Sequence, residues 1–199
     1  MKKTVIVMLH GVGSNGADIG SLASLWRESL PDALFLSPNA PEQSDFGQGY
    51  QWFSLDGITP ENRYSRVEHA RQGLQHTLDH LFVEHNVDPS SSKIFLVGFS
   101  QGSIMSMDYL LCGKYSLAGV VAFSGRLATH APESVSAHTP LCLIHGQADP
   151  VIDWHESEIA ARTFSTLGYE VTTFWDAGVP HSISASGAVK ALEFIQQQL

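Results

Sequence analysis

Apolar residues in this sequence form short unbroken runs, and Gly, Pro, Ser or other polar residues bound each run. The runs are rich in β-branched and aliphatic side chains, which favour strands. Unbroken apolar runs of this length are typical of strands buried on both faces of a parallel sheet. Strands are therefore predicted over residues 4–9, 33–36, 94–97, 119–123, 141–145 and 171–174.

The segments between these runs have the spacing of amphipathic helices. Ser65 and Glu68 have the form of a capping box, and apolar positions then recur at steps of three and four as far as Leu81. Further helices are predicted over residues 19–30, 101–111, 155–167 and 185–198. This alternation predicts an α/β fold with a mainly parallel central sheet and helices on both faces. In such sheets, ligands bind beyond the carboxyl ends of the strands.

The composition narrows the class of protein. A chain of 199 residues with 43% hydrophobic and 16% charged residues suits one domain, expected over residues 1–199, as a monomer or a homodimer. The net charge of −9, without a cluster of Lys and Arg, argues against nucleic acid as a partner. No apolar run approaches the length of roughly 18 residues that a transmembrane helix needs, which excludes integral membrane association. The first run is too short for a signal peptide, so a cytoplasmic location is expected.

The two cysteines, Cys112 and Cys142, both lie among apolar residues in the sequence. Such surroundings predict small buried thiols rather than a disulfide framework or a catalytic cysteine.

The clearest chemical motif is Gly98-Phe99-Ser100-Gln101-Gly102, which follows a predicted strand and precedes a predicted helix. It is the Gly-x-Ser-x-Gly pattern of a nucleophilic serine in its required strand, turn and helix setting. Side chains at the flanking glycine positions would collide in the sharp turn that exposes the serine. A plain Ser-Gly turn is the alternative, but the placement of the motif favours Ser100 as a nucleophile.

A serine hydroxyl needs a general base and an acid that orients the base. After a motif of this kind the partners follow in the order Ser, Asp, His. Asp149 follows the predicted strand 141–145 and His181 follows the last predicted strand, so these two are the candidates; Asp153 is the alternative acid. His145 ends a strand but precedes the acid. His10 follows the first strand and belongs to the glycine-containing loop there. The remaining histidines lack a comparable place at a strand end: His69, His76, His80, His85, His130, His138 and His155.

The attack by Ser100 creates an oxyanion, which needs two hydrogen-bond donors already aimed at it. The backbone N–H of Gln101 is one candidate, because it starts the helix after the nucleophile. The glycine-containing loop His10-Gly11-Val12-Gly13 follows the first strand, and the Val12 N–H is the second candidate. A phosphate-binding loop is the alternative, but neither Gly-x-Gly-x-x-Gly nor a Gly-Lys-Ser/Thr ending is present.

At this point the sequence resembles the phospholipase/carboxylesterase family of α/β-hydrolases, which includes acyl-protein thioesterases and small bacterial carboxylesterases. The resemblance runs almost end to end. It implies an α/β-hydrolase fold with a minimal cap, a triad of Ser100, Asp149 and His181, and oxyanion donors at Val12 and Gln101. It also implies catalysis without a metal or cofactor, and a structural role for His10. The resemblance rests on residues 9–13, 51–53, 98–102, 122–126 and 145–151, and on His181.

The glycine-rich and proline-rich excursion over residues 37–65 is expected to build part of an acyl pocket, with Trp52 and Phe53 as its apolar anchors. Packing of these two rings onto the sheet is an equally weighted alternative. The sequence departs from the family pattern at Ser103, where a second glycine is common, and at Arg126. Arg126 follows a strand and could reach an anionic substrate group, but an ion pair with a local acid is the preferred interpretation.

Together these features predict a serine carboxylesterase that acts on a small-molecule ester through an acyl-enzyme. Thioester and lysophospholipid bonds remain open as substrates. Two alternatives from other classes are a non-catalytic ligand-binding protein on a hydrolase fold and a small peptidase.

Overall fold

A computed structural model describes residues 2–130 and 139–199; His138 lies outside the described residues. A 6-stranded sheet of parallel strands, in the order β2-β1-β5-β6-β7-β8, forms the centre of the molecule. Each predicted strand is present, and the α/β prediction is confirmed. The strands are β1 (Thr4–Leu9), β2 (Leu34–Leu36), β5 (Lys93–Phe99), β6 (Gly119–Phe123), β7 (Leu141–Gly146) and β8 (Val171–Asp176), and a small antiparallel hairpin contains β3 (Glu42–Gln43) and β4 (Tyr50–Gln51).

Successive strand residues point to opposite faces of the sheet, so each apolar strand contributes to two cores. In β1, Val5 and Val7 belong to one buried cluster, and Ile6 and Met8 belong to the other. Three helices cover the first face: α3 (Pro60–Glu84), α4 (Gln101–Cys112) and α5 (His155–Thr166). Three others cover the second face: α1 (Gly16–Gly20), α2 (Leu22–Trp26) and α6 (Ala185–Gln197). Within the described ranges, no helix is long and apolar enough to cross a membrane.

The first two helical predictions were wrong in detail. The predicted helix over residues 19–30 is divided into α1 and α2. Its start lies earlier than predicted, because the side chain of Asn15 accepts a hydrogen bond from the Asp18 N–H and caps α1 before the apolar positions begin.

The capping box predicted at Ser65 and Glu68 was also wrong, because α3 already begins at Pro60. Thr59 Oγ1 accepts a hydrogen bond from the Asn62 N–H at 3.3 Å, and Asn62 Oδ1 accepts one from the Thr59 N–H at 2.8 Å. Asn62 thus takes the position where Glu or Gln is usual, and Pro60 suits the first turn because it has no N–H to satisfy.

The cysteine prediction holds for one residue only. Cys142 lies in β7 and is buried, whereas Cys112 is exposed. Cys112 is the last residue of α4. The apolar residues before it pack towards the core and leave the Cys112 side chain exposed.

The order in which the chain adds strands to the sheet reverses between β1 and β5, whose carboxyl ends lie side by side. From β1 the chain moves outwards to β2, and it returns to place β5 on the other side of β1. Leu9 at the end of β1 pairs with Gly98 in β5. The loops that leave these two strands therefore diverge around one crevice, which is the usual ligand site of such sheets.

Glycine is required where the turn after β5 crosses the end of β1. A methyl group at Gly98 would overlap the carbonyl oxygen of Gly102, and one at Gly102 would overlap the carbonyl oxygen of Leu9. These obstacles are backbone atoms, which cannot rotate away as a side chain can. The steric role expected for both flanking glycines follows directly from this packing.

Replacing Gly102 by Ala should lower the free energy of unfolding by about 3 kcal/mol or more, because the new methyl group meets fixed backbone. Urea denaturation measures this change. Gly47→Ala is a suitable control, since Gly47 has a positive φ of 77° but no heavy atom near the position of a new Cβ. It should cost only about 1 kcal/mol for the backbone conformation. Equal losses in the two variants would contradict the packing explanation.

Candidate active site

Ser100 occupies the turn between β5 and α4 in a strained conformation. Its φ of 53° and ψ of −115° lie outside the regions that residues with side chains favour. Such conformations cost of order 1–3 kcal/mol and occur where the surrounding structure enforces them. Here the turn carries the side chain towards the loop that follows β8, and Ser100 Oγ lies 2.9 Å from His181 Nε2.

The imidazole of His181 joins Ser100 to Asp149. Its Nδ1 lies 2.6 Å from Asp149 Oδ2, and its Nε2 faces the serine hydroxyl. A carboxylate only accepts hydrogen bonds, so Nδ1 carries the ring proton and Nε2 is left as an acceptor for the hydroxyl proton. The strand ends of β5, β7 and β8 thus bring three distant sequence positions into one hydrogen-bonded chain.

The carboxylate of Asp149 is buried but accepts several hydrogen bonds from the protein. Its Oδ1 accepts hydrogen bonds from the backbone N–H groups of Val151 at 2.8 Å and Ile152 at 3.0 Å. Burial by itself would raise the pKa of Asp149, but these bonds and the one from His181 outweigh burial and lower the pKa. The alternative acid, Asp153, accepts its bond from His155 instead, and its side chain is 69% exposed. The structure therefore brings Asp149, and not Asp153, to His181.

A second histidine supports the same carboxylate, and the sequence reasoning missed this role. His145 is fully buried, with Nε2 at 3.1 Å from Asp149 Oδ2 and at 2.9 Å from the carbonyl oxygen of Ile152. Both partners are acceptors, so Nε2 carries a proton. Nδ1 lies 2.7 Å from Ser157 Oγ. Burial lowers the pKa of His145, because it disfavours the charged ring. The strand-end position four residues before Asp149 was the available signal.

The oxyanion candidates are the backbone N–H groups of Val12 and Gln101. In the described part of the chain, neither the Val12 N–H nor the Gln101 N–H donates a hydrogen bond. His10 Nε2 accepts a bond from the Ala40 N–H at 2.9 Å, so Nδ1 carries the proton and donates to the Gly11 carbonyl at 2.7 Å. That carbonyl shares a peptide plane with the Val12 N–H, which points the opposite way. His10 thereby sets the direction of the Val12 N–H.

The segment that contains Trp52 and Phe53 ties the two oxyanion candidates together. Trp52 Nε1 donates to the His10 carbonyl at 2.9 Å. The Gln101 side chain accepts from the Trp52 N–H at 2.7 Å and donates to the Phe53 carbonyl at 2.7 Å. The loop after β1 and the start of α4 are therefore held by one shared segment.

Both rings of this segment are nearly inaccessible, with Trp52 2% and Phe53 4% exposed. They border a small cavity of about 250 Å³. A larger cavity of about 550 Å³ borders His181, and neither ring lines it. The observed contacts are those of packing onto the sheet, and direct substrate contact by Trp52 and Phe53 stays a prediction.

The two departures from the family pattern have local explanations. Ser103 Oγ donates to the Phe123 carbonyl at 2.6 Å, so the hydroxyl is satisfied inside the core. Arg126 is largely buried, and its Nη1 lies 3.7 Å from Glu156 Oε1. Burial lowers the pKa of Arg126, while Glu156 opposes that effect. Arg126 therefore pairs with a local acid, Glu156, as the sequence analysis predicted.

A parallel sheet with helices on both faces, a strained serine at the turn after β5 and a histidine reaching it from the last strand define an α/β-hydrolase. The chain belongs to the phospholipase/carboxylesterase family, whose model matches residues 1–199.

Known relatives agree with this assignment. Esterase YpfH of Escherichia coli (strain K12) is 32% identical over 96% of this chain and 82% of its own length. Acyl-protein thioesterase 1 of Neurospora crassa is 26% identical over 98% of this chain and 86% of its own. Among solved structures, esterase PE8 superposes with a TM-score of 0.87 at 33% identity, covering 100% of this chain and 94% of that one. The Bacillus cereus carboxylesterase shares the fold, with a TM-score of 0.83 at 22% identity and coverage of 99% and 89%.

Replacing Asp149 by Asn should make stability less dependent on pH in the acid range. The folded-state pKa of Asp149 lies below the value of about 3.9 expected in the unfolded chain. Its contribution is therefore present above about pH 4 and is lost as the pH falls through the folded-state pKa. The difference in unfolding free energy between the parent and Asp149→Asn should shrink over that fall, as measured by urea denaturation at stepped pH. Asp153→Asn, at an exposed position, should show a smaller difference; the reverse order would contradict the assignment.

Replacing Trp52 by Phe should lower turnover rather than substrate affinity. The variant keeps an aromatic ring but removes the donor to the His10 carbonyl, which should cost about 1–3 kcal/mol of stability. The looser loop should also lower kcat by about tenfold, with KM unchanged, because aligned oxyanion donors act in the transition state. Trp154→Phe is the control, since the Trp154 indole donates no hydrogen bond within the described residues. A higher KM with unchanged kcat and stability would instead assign Trp52 to substrate contact.

Proposed function

We propose that this protein is a serine carboxylesterase that hydrolyses small-molecule carboxylic esters or thioesters. Ser100 is the nucleophile, His181 is the general base and acid, and Asp149 orients the imidazole. The observation that carries the proposal is the continuous hydrogen-bond chain from Ser100 through His181 to Asp149, with links of 2.9 and 2.6 Å.

In the acylation step, His181 Nε2 takes the proton of the Ser100 hydroxyl as Oγ attacks the carbonyl carbon of the ester. The carbonyl oxygen becomes an oxyanion, and the N–H groups of Val12 and Gln101 stabilise it. Aligned donors of this kind contribute about 3–4 kcal/mol each to such transition states. The intermediate then collapses, and the departing alcohol or thiol takes the proton back from His181. An acyl group remains on Ser100.

Deacylation repeats these steps with water in place of the serine hydroxyl. His181 accepts a proton from water, the resulting hydroxide attacks the acyl carbonyl, and Ser100 leaves with the proton. Asp149 stabilises the charged imidazolium in both halves of the reaction. Its lowered pKa keeps it ionised for this task at neutral pH.

Ester or thioester hydrolysis explains the site better than the two alternatives. A ligand-binding protein needs a cavity but no aligned base, whereas here His181 has the tautomer that a general base requires. The names of the relatives, an esterase and an acyl-protein thioesterase, support ester or thioester bonds over peptide bonds. A cytoplasmic location is part of the same proposal, because Cys112 and Cys142 are free thiols, which a reducing compartment preserves.

Ser100→Ala should reduce the hydrolysis of a chromogenic ester by at least about 10⁴-fold, because it removes the attacking oxygen. Labelling by a fluorophosphonate should be stoichiometric in the parent and absent in the variant. The free energy of unfolding should change by less than about 1 kcal/mol, which separates lost chemistry from lost folding. Ser116→Ala, at an exposed serine outside the site, is the matched control and should keep full activity.

Unchanged turnover in Ser100→Ala would refute the assignment. Esters, thioesters and peptides with the same acyl group, assayed side by side, then decide among the bond types. A peptide hydrolysed faster than its matched ester would favour the peptidase alternative.

A further inference from the structure

The cavity next to His181 has no role in the chemistry described above. Its volume is about 550 Å³, which lies within the range of small-molecule sites. It opens between the two short helices α1 and α2 on one side and the start of α6 on the other. The ring of Phe99, which also lines the cavity, lies 4.9 Å from the ring of His181, measured between centroids.

We propose that this cavity binds the alcohol or thiol portion of the substrate, the part that leaves during acylation. The inference rests on the proposed esterase function. The leaving oxygen or sulfur takes its proton from His181 Nε2, so it must lie beside that nitrogen. The cavity is lined by His181 and the residues that follow it, and by His10 and Gly11 of the loop after β1, whereas Gln101 and Val12 do not line it. A group attached to the leaving atom therefore extends into this cavity, which borders His181.

The lining indicates which leaving groups fit. Ile19, Leu22 and Leu25 form an apolar wall, and Ile183 faces the same space. Burying methylene groups against such a wall is favourable by about 0.8 kcal/mol each, or about fourfold in binding.

The one charged acid that lines the cavity in the described chain is Asp18, which Ser14 and Asn15 hold by hydrogen bonds to its carboxylate. A negative charge at this position, in a chain with a net charge of −9, repels anionic groups. The cavity thus selects neutral, apolar alcohols or thiols of several carbons.

Ala185→Phe tests the proposal by filling the cavity. Ala185 is exposed and is the first residue of α6, so a larger side chain there requires no repacking of the core. Val189→Phe is the matched control: it lies one turn later on the same helix, is 52% exposed and does not line the cavity. Two ester series separate the sides of the substrate. One joins acetate to alcohols from methanol to hexanol, and the other joins methanol to acids from acetic to hexanoic.

In the parent, kcat/KM should rise about fourfold for each methylene group added to the alcohol. Ala185→Phe should flatten this rise and lose at least tenfold on hexyl acetate, while its values for the methyl esters stay within twofold of the parent. Val189→Phe should follow the parent in both series. A parallel rise in the parent and in Ala185→Phe would overturn the proposal, as would an effect of Ala185→Phe confined to the acid series.

Calorimetry with 1-hexanol on the Ser100→Ala protein gives a readout that does not depend on turnover. Binding that Ala185→Phe weakens at least tenfold supports the site, and the absence of binding, or equal binding in both proteins, overturns it. Failure of the esterase proposal has a different signature, since no ester would then be hydrolysed and Ser100 would not be labelled by a fluorophosphonate.

Discussion

The site depends on the close contact between the backbone of the turn after β5 and the end of β1. Gly102 lies directly against the carbonyl of Leu9, and the room for this contact exists only because residues 98 and 102 have no side chains. The contact includes the turn in which the intervening Ser100 has a positive φ. It also brings the start of α4 beside the loop that leaves β1. The proposed nucleophile and both oxyanion candidates thus lie around one packing constraint, where the strand order reverses.

A second constraint is electrostatic and concerns the buried carboxylate of Asp149. Two histidines contact the same oxygen of this carboxylate, but their different surroundings give them different roles. His145 is sealed inside the protein, and both of its ring nitrogens already have partners. His181 remains partly accessible, and within the described residues its Nε2 has the serine hydroxyl as its one hydrogen-bond partner. In the proposed reaction the proton therefore moves through His181, while His145 holds the carboxylate in place.

Much of this arrangement could be predicted from the sequence, because strand ends and a glycine-flanked serine leave clear local signals. The strands followed from unbroken apolar runs, and Ser100, Asp149 and His181 followed from their places after strands. Features that depend on tertiary contacts were out of reach. The side-chain bonds of Gln101 to residues 52 and 53 join segments about fifty residues apart, and nothing in either segment encodes the partner.

The errors have the same origin. Apolar periodicity continued through the break between α1 and α2, because the residues of both helices face one core. The capping box at Ser65 fitted its pattern, yet Pro60 and Thr59 offered an earlier start that periodicity does not detect. Cys112 followed apolar neighbours but ended the helix at the surface. Local patterns identify which residues form an element and only weakly determine where it stops.

The loops that carry the oxyanion candidates are fixed by hydrogen bonds, whereas part of the cavity beside His181 is formed by apolar packing. This difference separates the proposed catalytic geometry from the proposed substrate selectivity. On the oxyanion side, hydrogen bonds through His10, Trp52 and Gln101 fix the backbone, so small displacements there would misalign donors that act in the transition state. The cavity beside His181 has an apolar wall of Ile19, Leu22 and Leu25, where exchange of one residue alters shape without breaking a side-chain hydrogen bond. With the leaving group in the proposed cavity, substrate preference can therefore change through this apolar wall while the catalytic geometry stays intact.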